Sequence, residues 1–97
     1  MQTRRQYFVY HMTNKWNRVL HTGVTSDLRR RVEQHQSTLG GGFSAKYGLK
    51  KLVYYEVYGD PVFAIAREKQ IKGGSRKAKV ELVGSANPRW RDLVEDL

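Results

Sequence analysis

Gly59-Asp60-Pro61 separates the clearest strand of this chain from its clearest helix, and that boundary restricts the fold more than any other feature. Before it, Lys50 to Tyr58 carries Leu52, Val53, Tyr54, Tyr55 and Val57, with Glu56 among them, and reads as a strand. Gly59 breaks the run. Asp60 is a natural N-cap and Pro61 suits the first helical position, where its missing N–H costs nothing. The helix runs from Pro61 to about Lys72, and Gly73-Gly74 stops it.

The rest of the chain falls around this β–α step. Gln6 to Met12 is aromatic and β-branched, Thr13 to Asn17 has turn chemistry, and Arg18 to Val24 reads as a partner strand. Thr25 or Ser26 is expected to cap a helix starting at Asp27. Gly40-Gly41-Gly42 forms a flexible link, followed by one short helical turn over Phe43 to Gly48. Ser75 to about Val83 reads as a basic helix, Gly84 to Pro88 as a turn, and Arg89 to Leu97 as a terminal helix whose Trp90 and Leu93 cover the core. The order is β-β-α-α-β-α-α. No βαβ rhythm supports a doubly wound sheet, so the expected class is α+β: a small three-stranded, mainly antiparallel sheet flanked by helices, one domain over residues 1–97.

Composition narrows the chemistry. Without cysteine, neither a disulfide framework nor a Cys-ligated zinc site can form. His11, His21 and His35 show no helical metal-ligand spacing among themselves. No apolar h-region follows Met1 to Arg5 and no stretch approaches membrane-spanning length, so a cytoplasmic protein without membrane contact is expected. Eighteen Lys and Arg against nine Asp and Glu give a net charge of +9. That balance favours a polyanionic partner, and nucleic acid above others.

Two residues stand out when the helices are read by face. In the helix beginning near Asp27, Arg31 and His35 share a side with Leu28 and Val32, while Arg29, Arg30, Glu33 and Gln34 point away. An arginine turned towards the body needs an anion or a carboxylate. In the helix from Pro61, Val62, Ala64, Ile65 and Ile71 mark the inner face. Glu68 falls between Ile65 and Ile71, with Arg67 and Gln70 outside. A carboxylate there is either paired with an arginine, snorkelling at an edge, or a metal ligand facing a cleft. Trp16, in the first hairpin loop, is expected to pack over that loop; the alternative is stacking on a base or wedging a duplex. Tyr54 and Tyr55 read as sheet residues.

Five ordered motifs resemble the GIY-YIG nuclease family, in particular its small stand-alone bacterial members, over Gln6 to about Leu93. The first strand ends Phe8-Val9-Tyr10. The second, His21-Thr22-Gly23, stands where the family has Tyr-Ile-Gly. Gly23 to Leu28 followed by Arg31 and His35 resembles the helix with its phosphate-binding arginine. Lys51 to Glu56 together with Ala64 to Gly73 is similar to the stand-alone members almost throughout, and Asn87-Pro88-x-Trp90 matches their C-terminal end. The sequence departs from the family at His21, where tyrosine is usual, at Thr22, which replaces an apolar residue, and at Phe8, which stands for the first motif's glycine.

The resemblance implies a metal-dependent endonuclease acting on DNA in repair or processing, with RNA and branched DNA also open as substrates. The alternative is a nucleic-acid-binding module that has lost catalysis, and a third reading is a small basic RNA-associated protein without a metal. The resemblance gives Glu68 a single Mg²⁺ or Mn²⁺, Arg31 the phosphate oxygens, and Tyr10 the attacking water. A free phenol titrates near 10, so Tyr10 needs a nearby cation to act as a base. His35 and His21 would assist proton transfer. Lys69, Lys72, Arg76, Lys77 and Lys79 would track the nucleic-acid backbone, with Gly23 and Asn87 as structural motif residues. A homodimer or partner protein stays open.

Overall fold

The structure, a computed structural model, describes residues 5–37 and 48–97. Strand β1 (Tyr7–Thr13) lies at the centre of a three-stranded sheet between β2 (Leu20–Thr25) and β3 (Lys51–Tyr58), antiparallel to both. Helices α1 (Leu28–Gln36), α2 (Pro61–Lys72) and α3 (Arg76–Ala86) and a 3₁₀ turn (Leu93–Asp96) pack around it. This is the expected α+β class. The glycine link and the short helical turn expected after it fall almost wholly within 38–47, outside the described residues.

The central position of β1 follows from its composition, for both faces are covered. On one face Tyr10 and Met12 bury with Leu28 and Val32 of α1 and with Leu49 and Leu52. On the other, Val9 packs against Ala64 and Ile71 of α2. Alternation along the strand thus sends neighbouring residues 9 and 10 into different clusters.

His11 is only 1% exposed, on the face opposite Tyr10. Its Nδ1 lies 3.0 Å from the Thr22 hydroxyl, while Nε2 is buried without a hydrogen-bond partner. Burial, helped by the Lys79 charge, pushes its pKa down to about 4, against the opposing influence of the nearby His21 backbone. The folded state therefore refuses a proton that the unfolded chain accepts. His11 should cost no stability above pH 6.5 and an increasing amount as pH falls, reaching about 3 kcal/mol by pH 4. Urea denaturation at pH 7 and pH 4.5 measures this loss, and His11→Gln should shallow the slope.

Several boundaries differ from the sequence expectation. The α1 cap is Asp27 itself: its carboxylate accepts from the Arg30 amide at 3.1 Å, and the Thr25 hydroxyl accepts from the Asp27 amide. Helix α3 runs through Gly84 to Ala86 and ends at Asn87. The terminal helix shrinks to a 3₁₀ turn because its residues serve the sheet instead. Asn87 donates to the carbonyls of Val53 and Arg91 and accepts from the Arg91 amide, and Asp92 accepts from the Leu52 amide and from Val94. Trp90 and Leu93 do pack on the core, as expected. On α2, Val62 and Ile65 are 70% and 43% exposed; only Ala64 and Ile71 are buried, so the apolar face is narrower than the periodicity implies.

Candidate active site at the β2 edge

The hairpin register sets Tyr10 opposite Gly23, and that pairing shapes the site. Their side-chain positions share one face, so the tyrosine ring lies over the glycine. A Cβ at Gly23 would stand 2.4 Å from the Tyr10 hydroxyl oxygen and 2.6 Å from the ring carbon that bears it. The family-type glycine is here a space requirement. Tyr10 is 2% exposed and cannot swing away. Gly23→Ala should therefore cost about 1–3 kcal/mol by overpacking. It should also displace the phenol and lower any Tyr10-dependent turnover about a hundredfold. Denaturation and turnover measured on one preparation check both.

The Tyr10 hydroxyl reaches Nε2 of His35, on the last turn of α1, at 2.9 Å. His21, two residues before Gly23, completes an aromatic cluster: its ring centroid lies 4.9 Å from that of His35 and 6.0 Å from that of Tyr10. Burial pushes His35 down to about 4, with the His21 and Arg31 charges adding to it. His21 is lowered by burial, then by Lys72 and Arg31. Both imidazoles are neutral at pH 7.

Tyr10 behaves differently from the sequence expectation. Burial raises it to about 12; Arg31 pulls the other way and Glu68 adds to the rise. A nearby cation is present, as that reading required, but burial outweighs it. The free phenol stays protonated at neutral pH.

Arg31 is exposed at the rim and not turned into the body. Its position at the edge of the α1 apolar stripe lets the long side chain reach water. Among the described residues neither Arg31 nor Glu68 takes part in an ion pair; the pairs are Arg67–Glu56 at 2.9 Å and Arg91–Asp96 at 3.5 Å. The paired readings of both residues therefore fail. Glu68 is half-buried, and its Oε1 is fully buried with no hydrogen-bond partner. Such an orphaned carboxylate oxygen costs roughly 1–3 kcal/mol or more.

The sequence reading missed a supporting network one residue away. Arg67, expected on the outer face, donates to both oxygens of Glu56 at 2.9 and 3.0 Å, and the hydroxyls of Tyr54 and Tyr58 donate to the same carboxylate. Burial works against the charge on Glu56, yet the Arg67, Tyr54 and Tyr58 hydrogen bonds override it and hold the pKa at about 2. This clasp ties α2 to β3 and so fixes the turn that carries Glu68. The signal was available: a glutamate in an apolar strand with a tyrosine two residues to either side.

The basic residues divide. Lys69 and Lys72 lie in the last turn of α2, and Lys72 is close enough to act on His21. Arg76 and Lys77 open α3, where positive charge opposes the helix dipole and favours an anion in front of it. Lys79 acts on His11, on the other sheet face, and lines a groove with Arg67, Gln70, Ile71 and Leu82.

Fold and site together define a small α+β domain with a tyrosine–histidine site at an open sheet edge. The chain belongs to the GIY-YIG family: the GIY-YIG catalytic domain model matches residues 6–81, a nuclease-type fold. It is 33% identical over 78 residues to the UPF0213 protein CPE1444 of Clostridium perfringens, covering 80% of this chain and 84% of that one. It is 34% identical over 77 residues to the UPF0213 protein YhbQ of Escherichia coli K12, covering 79% and 76%. The solution structure of the UPF0213 protein BH0048 from Bacillus halodurans superposes with a TM-score of 0.58 at 26% identity, covering 90% of this chain and 92% of that one.

Proposed function

We propose that this domain is a divalent-metal-dependent endonuclease that hydrolyses phosphodiester bonds in DNA, in the cytoplasm, during repair or processing. The observation that carries the reading is the buried, unpartnered Oε1 of Glu68, whose charge acts on Tyr10, the partner of His35, beside an Arg31 that forms no ion pair among the described residues. Membership of the GIY-YIG family supports it.

Glu68 would hold Mg²⁺ or Mn²⁺. Among the described residues no three His, Asp or Glu side chains converge into a cage. One carboxylate suits magnesium, which keeps most of its waters and shares the substrate's oxygens. When bound, the ion supplies Lewis-acid stabilisation of the leaving oxygen.

The protein's own groups do the rest. Arg31, which pairs with no carboxylate among the described residues, takes the non-bridging oxygens as their charge grows. The attacking water gives its proton to the Tyr10 oxygen while Tyr10 passes its own to Nε2 of His35. This relay needs His35 neutral with its proton on Nδ1, and the depressed pKa supplies the neutral ring. It never requires a free phenolate, which a Tyr10 raised to about 12 makes scarce. His21 borders both groups and packs the relay from the side that the family's usual tyrosine would occupy.

The test is incubation with supercoiled plasmid and branched oligonucleotides in Mg²⁺, Mn²⁺ or EDTA. Cuts that need the metal support the reading. Salt-sensitive gel shifts with no cuts in either metal replace it with a binding module.

A further inference from the structure

Trp16 is 65% exposed, so it does not pack over its own loop as its place in the hairpin suggests. The turn beneath it is nevertheless firmly built. The Asn14 side chain accepts from the Arg18 amide at 2.8 Å, and the Asn14 carbonyl accepts from the Asn17 amide at 3.0 Å. Asn17 takes a left-handed backbone, φ 58°, which asparagine tolerates better than most residues. Arg76, from the first turn of α3, donates to the Asn17 carbonyl at 3.3 Å and ties the turn to the basic helix. A rigid turn that leaves an indole in water forgoes the gain of burying it, so the exposure calls for a partner.

The surroundings say which partner. Lys15 places its ammonium 4.5 Å from the Trp16 ring centroid, and Lys15, Arg18, Arg76 and Lys77 are all exposed. Cations around an upright aromatic suit a phosphate chain whose bases can stack. Lys72, acting on His21, continues the positive charge towards the site. In an intact duplex the base faces are already stacked on one another; an unpaired strand offers them.

We propose that Trp16 is a stacking platform for an unpaired base, and that the nucleic acid this protein takes carries a single-stranded segment beside the phosphate at the Tyr10–Glu68 site. This rests on the nuclease reading for the location of the cut, but not for the platform itself.

The test uses the full chain in EDTA, where nothing is cut. Anisotropy compares a twelve-nucleotide oligothymidine, a blunt duplex and a duplex with a single-stranded flap. Trp16→Ala should weaken binding to the first and third about tenfold and to the blunt duplex less than twofold, with Trp16→Phe recovering most of the loss. Indole emission should be quenched by the oligothymidine in the wild type and unchanged in Trp16→Phe, whose remaining Trp90 packs on the core. Equal losses on all three ligands, or quenching that survives in Trp16→Phe, overturn the proposal. If Trp16 selectivity holds and no metal yields cleavage, the nuclease reading falls alone. If cleavage occurs and Trp16→Ala cuts blunt and flapped DNA as the wild type does, the platform falls alone.

Discussion

Glu68→Ala should abolish metal-dependent cleavage, by a thousandfold or more, and leave the protein about as stable as it was. The two halves of that result come from one atom. Oε1 is buried without a hydrogen-bond partner, so in the metal-free protein the carboxylate is a cost of roughly 1–3 kcal/mol. Alanine removes the cost but opens a small cavity; glutamine keeps the shape and discards only the charge. Urea denaturation should place Glu68→Gln at or above the wild type, and Glu68→Ala within about 1 kcal/mol of it. Plasmid nicking should be lost in both. A readout independent of activity separates a ligand from a structural group. Saturating Mg²⁺ or Mn²⁺ should raise the melting temperature of the wild type through linkage and leave that of Glu68→Gln unmoved. Loss of stability with cleavage intact would make Glu68 a structural residue.

What the sequence disclosed and what it hid divide along a physical line. Elements delimited by local chemistry were legible: α2 starts and ends where Asp60-Pro61 and Gly73-Gly74 put it, because caps and breakers act within a few residues. Elements whose ends depend on distant partners were not. Arg89 to Leu97 has the composition of a helix, but Asn87 and Asp92 spend their side chains on β3. The same holds within the site. The set Tyr10, Gly23, Arg31, His35 and Glu68 was visible as spacing and resemblance. Periodicity placed Glu68 off the outer face correctly and then misassigned Val62, Ile65 and Arg67, because it counts apolar side chains and cannot see that Glu56 waits across the sheet for Arg67. Nor can spacing weigh burial against charge. The Arg31 cation is where a basic tyrosine needs one, yet burial raises Tyr10 to about 12 all the same, and that imbalance is why the proposed mechanism uses the phenol as a relay and not as a base.

Arg31 gives the second large effect. It is exposed and forms no ion pair among the described residues, so the fold does not lean on it, and Arg31→Ala should change stability by less than about 0.5 kcal/mol. Turnover should nonetheless fall a hundred- to a thousandfold, because a guanidinium at the rim acts most strongly on charge that appears only as the phosphate is attacked. DNA affinity, which the proposed function assigns mainly to the lysines and arginines of α2 and α3, should drop less than threefold. Arg31→Lys should restore part of the turnover, since it returns the charge without the planar fork. The pH profile adds an independent sign. Burial depresses His35 most, then His21, with Arg31 adding the least, so removal of Arg31 lets that pKa rise modestly from about 4. A relay that needs neutral His35 should then lose activity at higher pH than the wild type does as acid is added, and the acid limb of kcat/KM should shift upward in Arg31→Ala. A variant that binds weakly but turns over normally at saturating DNA would reduce Arg31 to a phosphate anchor.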